Sequence, residues 1–147
     1  MLTLKSVSRT VGRRQIVDQV AFEMRAGERV AILGPSGSGK TSLLRLIAGF
    51  DAPSAGEVTL DGVAVSTAGR VVVPPERRAL GVTFQDATLL PHLDAIGNAA
   101  LGIRSGDRPS RAARARAALQ AMGLVELEGR EVSTLSGGEA QRVALAR

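Results

Sequence analysis

Apolar and polar residues interleave from Leu2 to Val7, the pattern of a strand with one buried face. Ile16 to Met24 repeats the pattern less cleanly, and Gly27-Glu28 then makes a turn. Val30-Ala31-Ile32-Leu33 is a continuous apolar run, which predicts a strand covered on both faces. A glycine-rich loop follows. Leu43 to Ala48 predicts a mostly buried helix, with Gly49 at its C-terminal cap and Phe50 placed to fold back on it. Gly56 to Val65 predicts a hairpin in which Val58 and Leu60 share a face, because Asp61-Gly62 suits a tight turn with positive φ at both positions. Pro74-Pro75 breaks the chain, and Gly81-Val82-Thr83-Phe84 predicts a short strand ending in polar Gln85-Asp86. Asp107 to Gly123 predicts a helix with Ala115, Leu119 and Met122 as its apolar stripe, its arginines turned away and Gly123 as its cap. A last helix starts near Ser136 and is still running at Arg147. Antiparallel strands, then strand, loop and helix, then helices: this order is α/β.

Composition narrows the picture. A length of 147 residues suits one domain or part of one. No apolar run approaches the roughly 18 residues of a membrane helix. Met1 to Lys5 lacks the charged-then-apolar pattern of a secretory signal, so a cytosolic protein is expected. With no cysteine, thiolate chemistry and cysteine-based metal sites are excluded. The net charge of +5 invites a nucleic-acid reading, but the basic residues are scattered. Arg108, Arg111, Arg114 and Arg116 stand among alanines, as on a solvated helix face. Only 2% of residues are aromatic, too few to stack bases. No nucleic-acid partner is expected.

The loop Gly34-Pro35-Ser36-Gly37-Ser38-Gly39-Lys40-Thr41 has the phosphate-loop spacing, between an apolar run and a helix. Glycines let backbone N–H groups converge on phosphate oxygens without side-chain clash. The helix beginning near Lys40 aims its positive end at the same place. Lys40 can reach the β- and γ-phosphates, the Thr41 hydroxyl is placed for Mg²⁺, and Ser42 can donate to an α-phosphate oxygen. The loop points to a purine triphosphate. It does not choose among kinases, GTPases, helicases and transport ATPases.

The choice comes from Leu135-Ser136-Gly137-Gly138-Glu139 followed by Gln141-Arg142. Ser136 offers a hydroxyl, and Gly137 and Gly138 offer unobstructed N–H groups at a helix N-terminus, a second anion-binding arrangement. Phe84-Gln85-Asp86 lies between the two motifs, and an amide such as Gln85 can accept from water and ligate Mg²⁺ through its oxygen. This ordered trio resembles the phosphate loop, Q-loop and signature motif of ABC transporter ATP-binding subunits, and the resemblance covers essentially the whole chain. Val73-Pro74-Pro75-Glu76-Arg77-Arg78, Pro91-His92-Leu93 and Gly97-Asn98 resemble in particular the importers for iron(III), thiamine, polyamines, sulfate and phosphonates.

The resemblance implies a P-loop NTPase core with an antiparallel β subdomain and a helical subdomain carrying the signature. About 1–84 would form the β subdomain and core, 85–135 the Q-loop and helical subdomain, and 136–147 the signature helix. It implies ATP and Mg²⁺ as ligands, with Lys40 and Gln85 serving catalysis and Thr41 and Gln85 the metal. Ser136, Gly137, Gly138 and Glu139 would contact the γ-phosphate held by a second copy, in a head-to-tail homodimer. Residues from about Asp86 to Leu101 would contact a membrane permease, with a solute-binding protein as an indirect partner. The location implied is cytoplasmic, on the inner face of the membrane.

Two departures stand out. The adenine-stacking aromatic of the family is matched by Val11, before Gly12. The family also continues past Arg147 into an apolar strand ending in Asp-Glu and to a later histidine. These are expected to be missing here, leaving the core sheet incomplete and residues 1–147 alone marginally stable and without the catalytic Glu. His92, the lone histidine, is expected at a surface or interface. Two other readings stay open: a nucleotide-binding regulatory module that does not hydrolyse, and a non-transport ABC ATPase acting on DNA. The sequence does not name a transported solute.

Overall fold

β1 (Leu2–Val11) and β2 (Arg14–Met24) pair antiparallel and start the sheet. The computed structural model describes residues Met1–Arg147 in two compact units, Met1–Gly81 and Val82–Arg147. In β1 the inward positions are Leu2 and Leu4, then Val7. That change of parity needs an extra residue. Ser6 has φ 47, and the register with β2 shifts between Leu4 and Val7, the mark of a bulge.

α1 (Lys40–Ala48) follows the glycine-rich loop. It ends in the expected way: Gly49 has φ 85, its N–H donates to Leu46 O, and the Phe50 N–H donates to Arg45 O. Arg45 lies 5.7 Å from the Phe50 ring centroid and pairs with Asp51 at 2.7 Å, which holds the Asp51 carboxyl below its ordinary pKa. The helix was expected to be mostly buried. Instead Leu43, Leu46 and Ala48 face inward while Leu44 is 54% exposed, because only one side of α1 meets the sheet.

β3 (Ala55–Leu60) and β4 (Val63–Thr67) form the expected hairpin, with φ 47 at Asp61 and φ 81 at Gly62. The Met1 ammonium bonds the Asp61 carboxylate. β5 (Arg70–Val71) completes an antiparallel sheet of order β2-β1-β3-β4-β5. Leu43 and Leu46 of α1 pack on Leu2, Leu4, Val7, Val17, Val58 and Val65 to form the core of this unit.

Two expected strands are not formed. Val30–Leu33 joins no ladder, and Val30 and Leu33 are 52% and 88% exposed. Gly81–Phe84 likewise joins no ladder and is exposed. An apolar run records a segment suited to burial, but a strand exists only through ladder partners. All the ladders of this sheet are used among β1 to β5, and none reaches either segment.

In the second unit, α2 (Ala95–Ala100), α3 (Arg108–Ala121) and α4 (Gly137–Ala146) surround Ala95, Ala99, Ala115, Leu119, Leu124 and Val143. α3 is capped by Asp107, whose side chain accepts from the Ser110 N–H, and Gly123 follows it at φ 69. Of its arginines, Arg116 makes two bonds to Glu128 at 2.8 and 2.9 Å. Arg111 is half-buried and donates to Ala100 O at 3.4 Å, so it is not fully turned away.

Candidate functional site

The phosphate loop lies in the first unit, between the unpaired Val30–Leu33 segment and α1. Gly34 to Ser38 are exposed, Ser38 N–H donates to Pro35 O at 3.3 Å, and Gly37 and Gly39 have φ 80 and 91. Gly39 is the N-cap of α1, with no side chain bonded to the first turn and no acidic residue in it. The N–H groups at this end therefore face outward with their share of the helix dipole, about half a positive charge. Thr41 stands exposed in that first turn, and Ser42 is half-buried.

Lys40 bends back over the loop. Its ammonium donates to Gly34 O at 2.9 Å and Pro35 O at 2.7 Å, and lies 3.5 Å from Ser38 Oγ. The loop thus presents a cation and a fan of N–H donors on one side, with no carboxylate bonded to the ammonium. An anion with several oxygens satisfies this set; a neutral ligand leaves it unmatched. A cavity of about 640 Å³ opens beside the loop, bounded by Gly34, Ser38 and Lys40 and by Asp18 of β2. No group of three or more His, Cys, Asp or Glu could hold a metal ion by itself. A divalent cation here would share its coordination with a phosphate ligand and the Thr41 hydroxyl. Val11, at the β1–β2 turn, is 56% exposed beside Gly12 at φ 60.

The signature motif and Gln85 lie in the second unit. Ser136 caps α4 in a closed capping box: its Oγ accepts from Glu139 N–H at 3.3 Å, and its N–H donates to a Glu139 carboxylate oxygen at 2.7 Å. The Ser136 backbone, then its hydroxyl, holds the Glu139 carboxyl below its ordinary pKa. Glu139 is therefore spent on the helix end. The N–H groups of Gly137 and Gly138 belong to the first turn of α4, where the helix supplies no acceptor for them. A Cβ on Gly137 would meet nothing within 4 Å, and one on Gly138 only the Arg142 guanidinium at 3.7 Å. Nothing in this chain requires glycine at either position.

Gln85 is exposed, and its backbone carbonyl accepts from Gln141 Nε2 of α4 at 3.2 Å. Arg147 donates to Thr88 O at 3.0 Å, so the middle and the C-terminal end of α4 are tied to the segment that carries Gln85. His92 is exposed on the loop from Leu90 to Asp94.

Sequence reading missed what holds that loop. Asn98 is completely buried; its Oδ1 accepts from Leu90 N–H at 2.8 Å, and its Nδ2 donates to the carbonyls of Leu90, Leu93 and Asp94. That reading named Arg78 only within the Val73–Arg78 run and gave no sign of its burial: it is 6% exposed beside exposed Arg77. An Arg-Arg pair carries no local signal of which side chain turns inward.

The ABC transporter family profile matches residues 17–147. The spermidine/putrescine import ATP-binding protein PotA of Bacteroides fragilis is 40% identical over 149 residues, covering 100% of this chain and 31% of its own length. The Fe(3+) ions import ATP-binding protein FbpC of Streptomyces avermitilis is 42% identical over 149 residues, covering 100% of this chain and 42% of its own. The chain thus spans well under half the length of these curated relatives. Among solved structures, the dimeric ATP-binding cassette MJ0796, in a post-hydrolysis state bound to ADP and Pi, superposes with a TM-score of 0.79 at 30% identity. That match covers 99% of this chain and 68% of MJ0796.

Proposed function

The chain belongs to the ABC transporter family, and on that premise we propose that it is the nucleotide-binding part of an importer's ATP-binding subunit. It binds MgATP and takes part in coupling its hydrolysis to solute transport. The observation that carries this reading is that the Lys40 ammonium, bonded to no carboxylate, and the uncapped first turn of α1 stand together at one exposed place. Bound Mg²⁺ supplies charge neutralisation of the β- and γ-phosphates. This chain's own contribution is to hold the triphosphate: backbone N–H groups of the loop bind its oxygens, Lys40 exchanges its loop carbonyls for phosphate, and Thr41 faces the metal. Gln85 would orient water near the γ-phosphate.

The signature is assigned to a partner copy's nucleotide. Supporting this, Gly137 and Gly138 have no steric need to be glycine inside their own chain, so their smallness serves something that approaches from outside. The dimeric relative with ADP and Pi supports the same reading. No helix of this chain is long and apolar enough to cross a membrane. The importer reading adds a membrane permease as partner and places the subunit on the cytoplasmic face. The Leu90–Asp94 loop, fixed by Asn98, is a rigid surface for that contact.

Lys40→Ala in the natural protein tests the reading. It is expected to abolish MgATP binding and hydrolysis while leaving the fold intact. Undiminished binding in that variant would overturn it.

A further inference from the structure

Arg78 is buried in the first unit with no carboxylate among its hydrogen-bond partners. Its five N–H donors are nevertheless all used. Nε donates to Val73 O at 2.8 Å. Nη1 donates to Ile47 O at 2.7 Å and Leu46 O at 3.3 Å, and Nη2 to Val65 O at 2.8 Å and Ser66 Oγ at 2.7 Å. Leu46 and Ile47 are in the last turn of α1, where the regular i+4 donors run out, Leu46 O also accepts the Gly49 cap N–H, and the dipole is negative. Val65 and Ser66 belong to β4. The guanidinium is therefore a planar clamp that ties the C-terminal end of α1 to the sheet.

Gly49 is shaped around it. A Cβ there would stand 2.4 Å from Arg78 Cζ and 2.4 Å from Nε. The helix cap and the seat of the guanidinium are the same few atoms.

We propose that Arg78 is a positioning residue for the phosphate site, acting through α1. The apolar contacts of Leu43 and Leu46 hold the helix to the sheet, but such contacts are non-directional and permit sliding and rotation. Hydrogen bonds from a rigid fork fix direction. α1 runs unbroken from Lys40 to Ala48, so clamping its last turn fixes the aim of its first, which carries Lys40 and Thr41. This proposal rests on the MgATP reading of the loop.

The test compares Arg78→Met, Arg78→Lys, Ser66→Ala and Lys40→Ala in the natural protein. Fluorescent ATP titration with Mg²⁺ is run well below each variant's melting midpoint, with hydrolysis kinetics alongside. Arg78→Met is expected to weaken MgATP binding about tenfold among folded molecules. Arg78→Lys should recover part of that loss, since an ammonium still donates at the helix end. Ser66→Ala, which removes one acceptor and spares the fold, should give a smaller loss in the same direction, and it decides the matter if Arg78→Met does not fold. Wild-type affinity in Ser66→Ala and Arg78→Lys, whatever their midpoints, would make Arg78 a stabilising strut only and overturn the proposal. If the wild type binds MgATP and Lys40→Ala does not, that failure belongs to the positioning role alone. If wild type and Lys40→Ala both fail to bind, the MgATP reading falls and the proposal with it.

Discussion

A Cβ on Gly39 would stand 2.4 Å from the carbonyl oxygen of Ile16 in β2. The end of the phosphate loop is thus wedged against the sheet backbone, at a residue whose φ of 91 already favours glycine. Gly37 has a similar φ of 80 but open space around it. Gly39→Ala should therefore cost more than Gly37→Ala, for which about 1 kcal/mol is expected from backbone strain alone. Gly39→Ala must also move β2 or the loop, so it should lose MgATP binding as well. Denaturant midpoints and nucleotide titrations check the order; equal costs would show that the contact with Ile16 relaxes freely.

Gly137→Asp separates binding in one copy from hydrolysis across two. A Cβ at this position meets nothing within 4 Å, and a carboxylate in the first turn of α4 suits the helix dipole. Folding and MgATP binding should be retained. Hydrolysis should fall by about a hundredfold or more, because the carboxylate would face a partner's γ-phosphate. Normal turnover would exclude the signature from the reacting site.

Asn98→Ala should cost about 2 kcal/mol, since it strips the Leu90–Asp94 loop of hydrogen bonds formed at a buried position. Asn98→Asp should be at least as damaging: it keeps the acceptor for Leu90 N–H but sets a carboxylate beside three carbonyl oxygens. Urea unfolding measures both. A tolerated Asp would mean the loop is held by other contacts.

The Glu139 carboxyl has a folded pKa below its ordinary value, because the ionised form accepts from Ser136. Its support of α4 is therefore present above the unfolded carboxyl pKa and is lost as pH falls through the folded one. Amide protection factors at the first turn of α4, taken against the intrinsic exchange rate at each pH, should fall on acidification below the ordinary carboxylate range. Glu139→Gln should flatten that dependence. An identical pH response in the variant would place the titration elsewhere.

Local chemistry that depends on near neighbours was legible in the sequence. The Asp61-Gly62 turn, the Gly49 and Gly123 caps and the phosphate and signature motifs each follow from a few adjacent residues. The family follows from the order of those motifs. Three things came only from the tertiary structure. Val30–Leu33 has a strand's composition but no ladder, because pairing is a property of neighbours distant in sequence. Arg78 and Asn98 look like ordinary polar residues until the elements around them assemble, because their role is to satisfy backbone groups far along the chain. The glycines of the two motifs look alike in sequence. Only packing shows that Gly39 is required by its own chain while Gly137 is free within it, since steric demand is set by what lies nearby in space.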